Sequence, residues 1–258
     1  MKALAAGRRS KRAPLVLMFL ALFVTAWMYA ALTPAAHSAK GSAEDIAQGE
    51  ALFQANCSTC HGSSGQGTNI GPSLIGVGAA SADFQLTTGR MPMAMNSPQA
   101  PVKPPTFNEE QIAQLSAYVA SLGPGPHIPT DDQVDASRGD AAQGMQMFRT
   151  NCAMCHNAVG AGGALSRGKV APSLFEVPER QIYEAMLTGP QSMPVFNEAS
   201  VTPEEKRDII AYLVEQRDGS PGGLSLGSLG PVSEGLWVWV IGIGSLIGLS
   251  VWIGAKSS

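Results

Sequence analysis

Cysteine is absent from this chain except in two heptapeptides, NCSTCHG at 56–62 and NCAMCHN at 151–157, which together hold all four copies. Histidine is nearly as scarce. His61 and His156 lie inside the heptapeptides, while His37 and His127 lie outside and read as ordinary solvated side chains. This scarcity narrows the metal chemistry. A zinc site wants four ligands, so it would have to join the two heptapeptides across a long intervening segment. A redox dithiol belongs in a βαβ setting that this sequence lacks. A disulfide inside each C-x-x-C is geometrically allowed outside the cell. Aromatic residues are also few, at 6%, against 29 glycines and 18 prolines, which suggests loop-rich folds with modest apolar cores. Domains that small often need a covalent or metal staple.

Acidic residues are missing from the first 43 positions, where Lys2, Arg8, Arg9, Lys11 and Arg12 precede the apolar block PLVLMFLALFVTAWMYAALTP at 14–34. A second apolar block, GLWVWVIGIGSLIGLSVWIGA at 235–255, is followed by Lys256. Each is long enough to span a bilayer, for which about 20 apolar residues are needed. The basic flank of the first block places the N-terminus in the cytoplasm, and a second crossing returns the C-terminus there. The middle of the chain then lies outside. A cleaved signal peptide is the competing reading of the first block, but its apolar core is longer than the usual 7–15 residues and AAHSAK is a poor cleavage site. Trp237, Trp239 and Trp252 near the ends of the second block suit a membrane interface.

The middle is a repeat. GEALFQANCSTCHG, GPSLIGV, TTGRMPM and NEEQIAQLSAYVASL return in the same order as GMQMFRTNCAMCHN, APSLFEV, LTGPQSMPVF and TPEEKRDIIAYLVEQ. Pro72 matches Pro172, Met91 matches Met193 and Tyr118 matches Tyr212, which makes two homologous modules. Each reads as mostly helical. A short helix ends at the cysteine motif, a Gly/Pro-rich loop follows, and a helix near 83–88 or 179–188 leads to a Thr-Gly turn. An amphipathic helix closes each module, and in the second copy Thr202, Pro203 and Glu205 form its start signal.

C-x-x-C-H on a helix has a specific use. Residues three and four apart share a face, so Cys57 and Cys60 can add to two vinyl groups on one porphyrin edge while His61 points at the iron. Cys152, Cys155 and His156 repeat the arrangement. A sixth ligand stands in the same place in both copies, at Met91 before Pro92 and at Met193 before Pro194. Met93 and Met95 crowd Met91, and Met93 is its rival. A His/Met pair fills both axial positions, leaves no open site for peroxide or substrate, and makes each haem an electron relay.

These features resemble the dihaem cytochrome c subunit (cytochrome cc) of actinobacterial cytochrome bcc menaquinol reductases. The basic GRRSKRAPLVL start, the two C-x-x-C-H modules, GRMPMAMNSPQAPVKPPTF and the ending GLSLGSLGPVSEGLWVWVIGIGSLIGLSVWIGAKSS carry the resemblance. It implies an all-α chain of two tandem class I cytochrome c domains, at 42–123 and 138–217, between transmembrane helices at 14–34 and 235–255. The remaining segments are a cytoplasmic N-terminus at 1–13 and linkers at 124–137 and 218–234. The resemblance also implies two covalently bound haem c groups, with the ligands named above. The implied partners are a cytochrome b subunit, a Rieske iron–sulfur subunit and a cytochrome c oxidase. Electrons would pass from the Rieske centre through this chain to the oxidase. No nucleic-acid partner is expected. The alternatives are the cytochrome subunit of another membrane dehydrogenase or oxidase, and a dihaem peroxidase.

Charge adds one expectation. Positions 41–135 carry nine acidic and two basic residues, whereas 136–218 carry ten and eight. The first module and its linker are therefore the more negative; this reads as a solvated acidic surface or, alternatively, as a face that docks transiently on a basic partner surface.

Overall fold

The computed structural model describes residues 13–32, 41–95, 97–219 and 231–255. The basic N-terminus, His37, most of the linker expected at 218–234, and Lys256 lie outside the described residues. The chain divides into two units, 1–40 and 41–258. In the first unit, α1 is Ala13–Leu32; its described side chains are exposed and, apart from Thr25, apolar.

In the second unit the two sequence repeats fold alike. The first comprises α2 (Ala43–Asn56), α3 (Ser58–His61), α4 (Gly78–Thr87) and α5 (Glu109–Ser121). Between the repeats lie α6 (Asp131–Val134) and a 3₁₀ turn at Ala136–Arg138. The second repeat comprises α7 (Ala141–Asn151), α8 (Ala153–His156), α9 (Glu179–Thr188) and α10 (Pro203–Asp218). A small antiparallel ribbon joins β1 (Gly163–Ala164) to β2 (Val170–Ala171), with Gly163 opposite Ala171. The last helix, α11, is Pro231–Ala255.

The helix starts are chemical as well as periodic. Ser42 with Asp45, Asn108 with Gln111, and Thr202 with Glu205 form reciprocal capping boxes that satisfy otherwise orphaned N–H groups. Each repeat then crosses its first and last helices through the same trio. In the first, Phe53 on α2 packs against Tyr118 on α5 with ring centroids 5.1 Å apart. In the second, Phe148 on α7 meets Tyr212 on α10 at 5.5 Å. Both Phe side chains are fully buried. The backbones can approach because a glycine sits at each crossing. A Cβ at Gly49 would overlap the Gln114 carbonyl, and one at Gly144 would overlap that of Asp208.

Four details differ from the sequence expectations, the first being the β1–β2 ribbon in a chain expected to be all-α. The helix expected near 83–88 begins earlier, at Gly78, where the positive φ of that glycine starts it. The segment expected as a linker at 124–137 contains α6, which forms because Thr130 and Gln133 cap its single turn. The helix of the C-terminal block starts at Pro231, inside the expected 218–234 linker, since proline suits a first helical position. Of the described helices, one meets the length and composition for crossing a membrane: Gly235–Ala255, with a mean hydropathy of 2.0.

Candidate functional site: two helical C-x-x-C-H turns

Each heptapeptide becomes a helical turn braced from both sides. Cys57 N–H donates to Phe53 O at 2.8 Å and His61 N–H to Cys57 O at 2.9 Å. In the second copy Cys152 N–H donates to Phe148 O at 2.8 Å and His156 N–H to Cys152 O at 2.9 Å. The buried Phe of each helix crossing therefore carries the carbonyl that anchors the first cysteine. The turn ends in a positive φ, at Gly62 (79°) and at Asn157 (67°), the latter a residue type that tolerates this conformation.

The loops beyond follow one template. Leu74 N–H donates to Gly65 O and Leu174 N–H to Gly160 O, at 2.7 and 2.8 Å. They deliver Pro72 and Pro172 to the two imidazoles. His61 Nδ1 lies 2.8 Å from Pro72 O, and His156 Nδ1 lies 3.0 Å from Pro172 O. A carbonyl only accepts, so Nδ1 carries the proton and Nε2 keeps its lone pair for a metal. Burial holds the His156 pKa below its ordinary value, against the opposing pull of the Pro172 carbonyl. The sequence aligned the two prolines without assigning this role, because a backbone acceptor leaves no side-chain signature.

The cysteines are unpaired, and no disulfide joins either C-x-x-C. Burial, reinforced by Cys60, pushes the Cys57 thiol up to about 11. Burial, reinforced by Cys155, does the same to Cys152. Zinc ligands and redox dithiols work as thiolates, which a raised pKa disfavours. Nor does any group of three or more His, Cys, Asp or Glu among the described residues form a metal cluster. Two unpaired cysteines and a histidine on one short helical turn match the spacing needed to hold a porphyrin by two thioether bonds, with an imidazole towards its iron.

The methionines enter from the loop after α4 or α9. Met91 is half-buried and packs against the core of Phe53, Leu86, Ile112, Leu115 and Tyr118. Met95, in contrast, is 76% exposed. Met193 packs against the equivalent core of the second repeat. A cavity of about 390 Å³ opens in the second repeat, where Cys152, Cys155, His156, Pro172 and Met193 all line it. The residues expected to hold the second haem thus converge on one largely apolar hollow of ligand-binding size.

Where the repeats meet, α4 lies against α9. Arg180 Nη2 donates to Asp83 Oδ1 at 2.8 Å and Arg180 Nε to Glu184 Oε1 at 3.3 Å. Both carboxyls are buried. Sequence reasoning missed this cluster.

Comparison with known proteins agrees with the geometry. Residues 46–123 match the family described as cytochrome c, and residues 139–213 match cytochrome C oxidase, cbb3-type, subunit III. The cytochrome bc1 complex cytochrome c subunit of Corynebacterium efficiens is 46% identical over 246 residues, covering 88% of this chain and 83% of that protein. The subunit of the same name from Mycobacterium tuberculosis is 45% identical over 252 residues, covering 94% and 90%. A cbb3-type cytochrome c oxidase subunit FixP from Sinorhizobium medicae is 30% identical over 51% of this chain and 44% of its own length. With two cytochrome c domains and this degree of identity across nearly its whole length, the chain belongs to the family of cytochrome c subunits of the cytochrome bc1 complex, electron carriers of the respiratory chain.

Proposed function

We propose that this chain is the membrane-anchored dihaem relay of its complex, taking electrons from a Rieske iron–sulfur protein and passing them to a cytochrome c oxidase. The supporting observation is the duplication itself: each repeat fixes the imidazole of its C-x-x-C-H turn through Nδ1 to a proline carbonyl, at 2.8 Å or 3.0 Å, which leaves Nε2 for the iron. Cys57 and Cys60 would hold one haem c covalently, with His61 and Met91 on its iron. Cys152, Cys155, His156 and Met193 would do the same for the other. Met91 is preferred to Met93 because Met91 packs on the core that also buries Phe53. When bound, each haem supplies a one-electron couple. The chain's part is to fix the imidazole tautomer, exclude water with the Phe–Tyr crossing, and present a thioether that favours ferrous iron.

The two repeats, 42–123 and 138–217, would lie outside the membrane as separate modules. Helices at 14–34 and 235–255 would anchor them, with both termini in the cytoplasm. The described part of the first block, Pro14–Met28, is helical and apolar, and the second block has the length of a full span. A cytochrome b subunit and the membrane lipid complete the expected surroundings. A second reading, an oxidase subunit, draws on the partial likeness of this chain to FixP.

Purification in mild detergent separates the two readings. The relay reading expects two haem c per chain, co-purification of cytochrome b and a Rieske protein, and no carbon monoxide spectrum after reduction. Recovery with an oxidase core alone favours the second reading. Recovery without cytochrome b and Rieske protein, under conditions that keep other complexes whole, ends the first.

A further inference from the structure

Arg90 is buried to 9% exposure, yet among the described residues it makes no ion pair and no side-chain hydrogen bond. Its one charged-group contact is with the face of Phe84, whose ring centroid lies 4.8 Å from the guanidinium carbon. That is a weak substitute for water around a cation. A guanidinium offers five N–H donors, and those of Arg90 have no partner among the described residues while the residue lines the cavity of the second repeat, so the group is open to an anion that enters there. Burial lowers the Arg90 pKa, as expected of a cation with no counter-charge beside it.

Its position says which anion. Arg90 belongs to the first repeat but lines the cavity of the second, together with Thr88, Gln99 and Val102. Its neighbour Met91 faces the other way, into the first repeat's core. The following loop is fastened to the same cavity edge. Gln99 Nε2 donates to Val170 O at 2.7 Å, and Val170 N–H donates to Gln99 Oε1 at 2.9 Å, so one side chain closes both backbone bonds beside β2. Ala100 N–H donates to Gln191 Oε1 at 3.2 Å, two residues before Met193. The first repeat therefore supplies a wall of the second cavity, and its only cation in that wall is Arg90. A haem c carries two propionates, and a guanidinium fork matches a carboxylate.

We propose that Arg90 holds a propionate of the haem carried by the second repeat, making the second haem site a joint product of both repeats. This rests on the dihaem reading above. It also places the Met91–Arg90 peptide between the two sites, since Met91 is the residue assigned to the first iron.

The test is a spectroelectrochemical titration of the purified complex carrying R90Q or R90K, with the second couple identified by the Met193→His variant. A cation beside a propionate disfavours the ferric state. R90Q should therefore shift the second haem toward ferric by about tenfold in its equilibrium, a fall of about 59 mV for a one-electron couple. R90K keeps the charge and should recover most of that shift. An R90Q chain that loses the second haem alone supports the assignment too, because the repeat carrying Arg90 is then intact. Unchanged potentials, a shift confined to the first couple, or loss of the first haem overturns it. A wild-type complex with one haem per chain would instead refute the dihaem reading.

Discussion

Glu184→Gln probes the buried contact between the repeats. Glu184 is fully buried and Asp83 is 3% exposed, with Arg180 alone donating to both. The second oxygen of each acid, Asp83 Oδ2 and Glu184 Oε2, is buried and without a partner. One half-exposed cation does not offset two buried carboxylates, and a single proton shared between the orphaned oxygens satisfies both. Burial, then the Asp83 charge, pushes Glu184 from 4.5 up to about 9. Burial raises Asp83 too, while Arg180 pulls it back. The folded chain thus keeps a proton that the unfolded chain releases above pH 4.5. Stability from this source is complete below that pH and is lost as pH climbs toward 9. One proton amounts to a slope of about 1.4 kcal/mol per pH unit, or on the order of 4 kcal/mol between pH 5.5 and 8.5. Glutamine needs no proton and its Nε2 can donate to Asp83. At pH 8, Glu184→Gln should therefore be more stable by on the order of 2–4 kcal/mol, with a flatter pH dependence. Thermal unfolding of the haem-loaded protein, followed by circular dichroism at pH 5.5, 7 and 8.5, measures this. Parallel pH slopes in variant and wild type would refute the shared proton.

Gly49→Ala and Gly144→Ala each force a methyl into a facing carbonyl, on Gln114 and Asp208. Each should cost about 1–3 kcal/mol or more in unfolding experiments and loosen its own repeat first; equal stability would show that the helices cross without close contact. Met91→His and Met193→His should each lower the potential of one haem and alter its spectrum, leaving the other unchanged. If Met93→His does this in place of Met91→His, the first ligand is misassigned. The nine acidic residues against two basic ones in 41–135 predict that electron transfer through the first repeat slows as salt rises. A rate flat in ionic strength excludes docking on a basic surface.

Legibility in the sequence follows the range of each interaction. Helical turns and caps act over three or four residues, so the turn that carries Cys57, Cys60 and His61, and the start signal Thr202, Pro203 and Glu205, could be read directly. Longer-range equivalences were legible where duplication marked them, as with Pro72 and Pro172, each of whose carbonyls meets the imidazole of its own repeat. The Asp83–Glu184–Arg180 cluster had no such mark. Within SADFQL and RQIYEAML, single charges read as solvated faces of amphipathic helices, and only tertiary contact between α4 and α9 buries them. The ribbon of β1 and β2 was invisible for a related reason: GGALSRGKVA has loop composition, and two residues per strand carry no period.

The hidden contacts also explain how two copies of one module can do different work. Matched on their Thr-Gly turns, Thr88–Gly89 and Thr188–Gly189, Asp83 corresponds to Tyr183 and Phe84 to Glu184. The two acids therefore come from different positions of the repeat. The interface is heterologous, and exchanging the two repeats could not rebuild it. Arg90 corresponds to Pro190, so no cation is returned from the second repeat to the first at that position. The internal construction of each site is duplicated down to the His–Pro bond, while its surroundings are not. With the haems as assigned, identical axial ligands sit beside unequal charge, and Arg90 raises the second couple relative to what its ligands alone would set. A difference in potential between the two haems then arises from the way the repeats are joined and requires no change in either ligand set.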